Sequence, residues 1–276
     1  MRSQRLLVLA AALLVTTAAS AQLRGPTNQM LIPAAGNLPG ANGTYFRSDV
    51  TLTNFRDADQ RVQLQGLPQT PSGTTPMPAP VTITIPAYSG VASEDFATNY
   101  LQQTGLGAIL ITGVTSANAL DASALLFATA RIWSPQPGSA GTVSQTFPVV
   151  PVAAIGPSSQ VIILGQRIDD RYRTNVGIVN LETSFFRTFD IVQSTDYSTV
   201  VPVQTTLTVP PMSMLQVRLQ DMPSRVLQIT VTPRNPSIPQ GAPSPPPTNV
   251  WVAYASSVDN VTGDSWSSLA MPLLKP

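Results

Sequence analysis

The hexapeptide Asp259-Asn260-Val261-Thr262-Gly263-Asp264 crowds oxygen-bearing side chains around a glycine, loosely as a calcium loop does. Calcium takes about six to eight oxygens, and the spacing D-x-[DN]-x-[DN]-G is not met. The candidate ligands Asp259, Asn260 and Asp264 read equally as a tight turn. In that case their side chains accept backbone N–H bonds and Gly263 takes a positive φ.

Trp133 and Trp266 offer a second chemistry, since an indole face matches the apolar face of a sugar ring. Both sit near turn residues, whereas Trp251 lies inside a strand pattern and reads as core. Glycoside hydrolysis would need two carboxyl groups about 5–10 Å apart across a cleft. The only glutamates are Glu94 and Glu182, and neither they nor Asp169, Asp170 and Asp190 are paired by the sequence.

Other chemistries are closed by composition. With no histidine and no cysteine, the chain lacks the commonest general base, the thiolate nucleophile and the preferred zinc and copper ligands. G-x-S-x-G does not occur, and the single lysine, Lys275, stands next to the C-terminal residue. Charged residues are 11% of the chain and nearly balanced, with no basic stripe for nucleic acid. The reading is a noncatalytic protein with no cofactor.

Short runs of alternating residues must position whatever site exists. Val50–Thr53, Val62–Gln65, Val81–Ile85, Thr206–Val209 and Leu227–Val231 alternate apolar with polar, between 27 prolines and 17 glycines. That period of two predicts half-buried antiparallel strands. One helix is expected, capped at Ser93-Glu94-Asp95 and running past Tyr100 toward Gly105.

The chain also repeats itself. Tyr45–Asn54 aligns with Arg171–Asn180, both reading aromatic-Arg-[Ser/Thr]-[Asp/Asn]-Val-x-[Leu/Ile]-x-Asn. Thr82–Pro86 matches Thr206–Pro210, Leu110–Thr112 resembles Gln228–Thr230, and Phe127–Ala130 sits beside Val252–Ala255, always at an offset of about 120 residues. Duplication of one module follows, each copy with about seven short strands. The predicted fold class is all-β, two tandem immunoglobulin-like antiparallel sandwiches, covering residues 22–155 and 156–276. Gly156-Pro157-Ser158-Ser159 reads as the linker, and Pro68–Pro80 and Pro233–Pro247 as projecting loops.

Arg47 and Arg173 fall at matching places, each two residues before Asp49 or Asn175. Strand residues i and i+2 share a face, so Arg47 is expected to bond Asp49, and Arg173 to bond Asn175. Asn54 and Asn180 read as strand-end turn residues.

The N-terminus reads as an export signal: Met1–Arg5 is basic, Leu6–Val15 apolar, and Ala19-Ser20-Ala21 a small-residue cleavage site. Removal of residues 1–21 would leave a chain starting at Gln22, with no transmembrane segment. Without cysteines it must hold together by burial alone.

Pro39–Asp49 and the ending Ala253–Asp264 resemble a group of bacterial exported and cell-surface proteins. In that group such modules occur in pairs, with no activity to carry over. The resemblance implies an extracytoplasmic setting, secreted, periplasmic or at the cell surface. The functional expectation is a binding or structural protein whose partner is a protein or glycan of the cell envelope. The alternatives are a carbohydrate-active or carbohydrate-binding accessory protein and a subunit of a surface fibre.

Overall fold

A computed structural model describes residues 25–40, 43–70, 77–136, 138, 140–155, 160–195, 201–222, 227–234 and 250–273. The expected signal segment, the Gly156–Ser159 linker, Lys275 and nearly all of Pro233–Pro247 lie outside the described residues, as does the middle of Pro68–Pro80.

The chain is almost entirely strand. The N-terminal half holds β1 (Gln29–Pro39), β2 (Tyr45–Asn54), β3 (Gln60–Pro68), β4 (Val81–Ile85), β5 (Gly90–Ser93), α1 (Phe96–Leu101), β6 (Gly105–Val114), β7 (Leu126–Pro135), β8 (Thr142–Phe147) and β9 (Val150–Pro151). The C-terminal half holds β10 (Val161–Gln166), β11 (Tyr172–Asn180), β12 (Arg187–Ser194), β13 (Val203–Val209), β14 (Ser213–Arg218), β15 (Leu227–Pro233), β16 (Trp251–Asp259), β17 (Ser265–Leu269) and β18 (Met271–Pro272). All the alternating runs fall inside strands. Val81, Ile83 and Ile85 turn inward while Thr82 and Thr84 face water, the pattern of a sheet covered on one side.

Each half pairs its strands in the same order. β4-β3-β6-β1-β9 corresponds to β13-β12-β15-β10-β18, and β5-β2-β7-β8 to β14-β11-β16-β17; every pairing is antiparallel. One difference stands out. β1 leaves β6 at Asn37 and pairs Leu38 and Pro39 with β2, joining both sheets of the N-terminal half into one nine-stranded ribbon.

The registers match residue by residue, with one departure from the sequence alignment. Leu31 faces Leu110 and Ile162 faces Thr230, so Leu110 corresponds to Thr230 and not to Gln228. A slip of two residues keeps every side chain on its face, so a period-two pattern cannot reveal it.

Met30, Ile32, Leu52, Leu64, Ile109 and Phe96 fill the N-terminal core, with Phe96 stacked on Tyr100 at 4.5 Å. Helix α1 closes one end of that core. Asp95 precedes it without a side-chain cap, and Gln102 ends it in the left-handed region (φ 50°), where its amide and that of Gln103 bond the carbonyls of Thr98 and Ala97. The C-terminal core is built on Ile163, Ile178, Phe189, Ile191 and Ile229, with Trp251 tilted against Phe189 at 4.9 Å.

A third apolar layer lies between the halves. Leu31, Leu67, Ala108 and Val150 from the outer face of the first sheet meet Val179, Met214 and Val252 from the outer face of β11, β14 and β16. Beside them Tyr254 packs on Ala34 and meets Phe147 edge to face at 5.4 Å. Its ring lies over Gly177, where an added Cβ would sit 2.1 Å from Cζ. Parting the halves would return each large side chain of this layer to water at roughly 1.5–3 kcal/mol. Loose tethering is thereby excluded, and the strands concerned are buried on both faces, as in β16, where Trp251–Ser257 are all buried.

Candidate functional site

The turn from β10 to β11 builds a concave surface at one end of the C-terminal half. Asp169 Oδ1 accepts the amides of Arg171 (2.8 Å) and Tyr172 (2.9 Å), fixing the turn by an Asx bond. Arg167, Asp169, Asp170, Arg171 and Tyr172 then line a pocket of about 330 Å³. The Arg167 guanidinium stands 4.7 Å above the Tyr172 ring and that of Arg171 stands 5.5 Å from it, both in cation–π range. Trp266 borders the cluster edge to face with Tyr172 at 5.8 Å.

Electrostatics distinguishes the two arginines. Arg171 clamps Asp259 Oδ2 through Nε (2.8 Å) and Nη2 (2.7 Å). Its guanidinium, helped by the amides of Val261 and Thr262 and opposed by burial, lowers the Asp259 carboxyl to about 2. Arg167 makes no ion pair among the described residues, so its charge is available to a ligand. The pocket can hold a small anion or planar polar group.

The same geometry shows how the hexapeptide spends its oxygens. Asp259 Oδ2 faces a guanidinium, Asp259 Oδ1 accepts the amides of Val261 (2.8 Å) and Thr262 (3.2 Å), and Asp264 Oδ1 accepts the amide of Ser265 (3.0 Å). Asn260 Oδ1 accepts from Arg173 Nη1 at 2.5 Å, and Gly263 has φ 77°. A cation bound through these turn oxygens of Asp259 or Asn260 would displace the donors already on them. The hexapeptide is a turn stapled to β11.

The expected Arg–[Asp/Asn] pairs along the strand do not form. Asp49 bonds Arg131 Nε (2.7 Å) on β7, while Arg47 turns to Asp95 (3.8 Å) and lies over Tyr45 (5.2 Å) and Trp133 (5.9 Å). Arg173 reaches Asn260, in the turn just past the end of β16, not Asn175. Asp49 and Arg131 are register partners in the ladder, and directly opposed residues stand closer than i and i+2 on one strand.

At the matching end of the N-terminal half, Arg47 and Trp133 join a second cluster. Tyr45 Oη donates to Asn37 Oδ1, and Asn37 Nδ2 donates to Asp95 Oδ2 (2.7 Å). Both candidate tryptophans are half-buried strand residues whose indole N–H is already spent, Trp133 on the Glu94 carbonyl (2.9 Å) and Trp266 on the Gly165 carbonyl (3.1 Å). Asn54 and Asn180, by contrast, end their strands and tie down the turns that follow. The pocket arginines were not singled out by the sequence. Their one signal was the density of charge in Arg167-Ile168-Asp169-Asp170-Arg171, in a chain otherwise poor in charge.

No protein-family model matches the chain, and no curated protein matches it. Among solved structures, the chain is similar to the crystal structure of Thermotoga maritima 1070, at 12% identity and a TM-score of 0.32, with 42% of this chain and 95% of that chain covered. No helix among the described residues is long and apolar enough to cross a membrane.

Proposed function

We propose that this chain is a noncatalytic binding or structural protein of the bacterial cell envelope, exported through its N-terminal signal and made of two copies of an immunoglobulin-like module. The duplication is supported by the common strand order and register of the two halves. The observation that carries the noncatalytic reading is the use made of the carboxylates. Asp49, Asp95, Asp121, Glu182, Asp190, Asp221 and Asp259 each face an arginine, and Asp169 and Asp264 each accept a backbone amide. Acid–base work needs carboxyls free to exchange protons with a substrate, and these nine are already engaged by donors within the protein. Binding falls to the Arg167–Tyr172 pocket, where the Arg167 guanidinium, in no ion pair among the described residues, suits a carboxylate or sulfate group on an envelope polymer.

Sugar stacking on Trp133 or Trp266 is less favoured, because Arg47 covers one ring and Tyr172 abuts the other. The test is a panel of acidic and neutral envelope glycans, with binding and chain cleavage read in parallel. Retention of acidic polymers by the wild type but not by Arg167→Ala, with no cleavage of any polymer, is expected. Cleavage that an Asp→Asn variant abolishes would overturn the reading.

A further inference from the structure

The contact between the halves has two dissimilar sides, and among the described residues each has an exposed counterpart. On the inserting side, the C-terminal half contributes Leu181, Met212 and Val252 to the layer between the halves. The ladders identify their counterparts. Val179 faces Val252 as Thr53 faces Phe127, so Phe127 stands where Val252 does. The Leu181 amide bonds the Val250 carbonyl as the Phe55 amide bonds that of Leu125, and the Met212 amide bonds Glu182 as that of Tyr88 bonds Arg56.

The N-terminal half therefore carries Phe55, Tyr88, Leu125 and Phe127 on the face that its sister half uses for docking. These four are 48%, 73%, 44% and 37% exposed. Phe55 and Phe127 meet edge to face at 6.4 Å, a pre-formed aromatic ridge.

The receiving side is open in the other half. Leu31 and Val150 are register partners in the internal contact, and Ile162 and Met271 are partners in the same places on β10 and β18. Met271 is 51% exposed, and Leu164 and Leu273, each two residues further on, are 47% and 42% exposed. The polar part of the internal contact is also duplicated. Ser265 and Ser267 donate to the carbonyls of Ser144 and Thr146 on β8. By register, Ser144 and Thr146 occupy on β8 the places of Ser265 and Ser267 on β17, and their own side chains are exposed hydroxyls.

We infer that copies of this chain associate head to tail, the Phe55–Tyr88–Phe127 ridge of one copy seating on the Ile162–Met271 face of the next. This repeats between molecules the contact that already joins the halves within one. An interface of this kind is heterologous, so it propagates until it closes a ring or extends as a filament. The receiving face is the weaker of the two, because Ser194 and Thr230 stand where the internal contact has Leu67 and Leu110. Association is therefore concentration-dependent. The inference rests on the registers and exposures alone, not on the pocket or on export.

Sedimentation velocity of the purified protein from about 1 to 200 µM tests it, that being the range of a weak interface. The expected result is a sedimentation coefficient that climbs with concentration beyond the dimer. Tyr88→Asp suits the left-handed backbone at that position (φ 50°). It should raise the dissociation constant by about 30-fold or more, as should Leu164→Asp on the opposite face. Phe127→Asp serves as a second ridge variant, and circular dichroism verifies each fold. Mixing Tyr88→Asp with Leu164→Asp leaves one intact ridge and one intact receiving face, so a one-to-one heterodimer and nothing larger should form. A protein monomeric across the range overturns the inference. So does a Leu164→Asp variant that associates as well as the wild type, which would mean that ridge pairs with ridge.

Discussion

Asn54 and Asn180 make the same four hydrogen bonds in the two halves of the chain. Each is wholly buried at the end of its strand. Asn54 Nδ2 donates to the carbonyls of Ala58, Ile85 and Pro86, and Oδ1 accepts the Arg56 amide. Asn180 Nδ2 donates to Phe185, Val209 and Pro210, and Oδ1 accepts the amide of Glu182. One amide thus ties the β2–β3 turn to the end of β4, and its twin ties β11–β12 to the end of β13. Alanine at either place strands buried carbonyls and an amide, at about 1–3 kcal/mol for the set. Aspartate costs more, because a carboxylate would face the three carbonyls. Urea denaturation of Asn54→Ala, Asn180→Ala and the two Asp variants should show near-equal losses at the two sites, larger for Asp.

Gly177 and Tyr254 give a second expectation. A methyl group at 177 would overlap the Tyr254 ring, which is fully buried between the halves with its hydroxyl on Gln216 Oε1 (2.9 Å). Gly177→Ala should destabilise the protein by roughly 1–3 kcal/mol, as overpacking does. Tyr254→Ala leaves a cavity and costs about 3–5 kcal/mol. In the double variant the clash is gone, so its loss should fall short of the sum of the two. Strict additivity in a thermal denaturation cycle would place the ring elsewhere.

Stability should respond to acid through two aspartates. Arg234 Nε and Nη2 bond Asp190 and hold its carboxyl at about 2, with further bonds from Thr206 and Gln204. Arg171 does the same for Asp259. The folded pKa of each lies below the ordinary 3.8, so unfolding takes up a proton. Their contribution is present above about pH 4 and is lost as the pH falls toward 2. Denaturation midpoints measured between pH 5 and 2 should fall over that window. Arg171→Gln and Arg234→Gln should each flatten the slope.

Much of this was legible in the sequence, for definite reasons. Strand positions follow from a period of two that only a half-covered sheet produces, and Asn54 and Asn180 declare themselves by ending two matching motifs. Arg47 was misread because the sequence shows neighbours along a strand and hides those across it: its electrostatic partner, Asp95, comes from the segment leading into α1. The layer between the halves had one sequence signal, the unbroken run Trp251-Val252-Ala253-Tyr254-Ala255. A strand that does not alternate is covered on both faces. The exposed ridge had none, since Phe55 and Tyr88 sit in turns where no pattern assigns a face.

The layer between the halves also bears on the order in which the molecule can be completed. A chain that emerges N-terminus first can close its first core once β8 and β9 are in place. At that moment Leu31, Leu67 and Ala108 still face water. Their cover comes from β11, β14 and β16, and the last of these, with Val252 and Tyr254, lies close to the C-terminus. The N-terminal half must therefore carry a greasy sheet face through most of the synthesis of its sister. A chain interrupted before Trp251 would lack Val252 and Tyr254 and leave that face incompletely covered. Truncation is thus more hazardous for this protein than the independence of two modules would suggest.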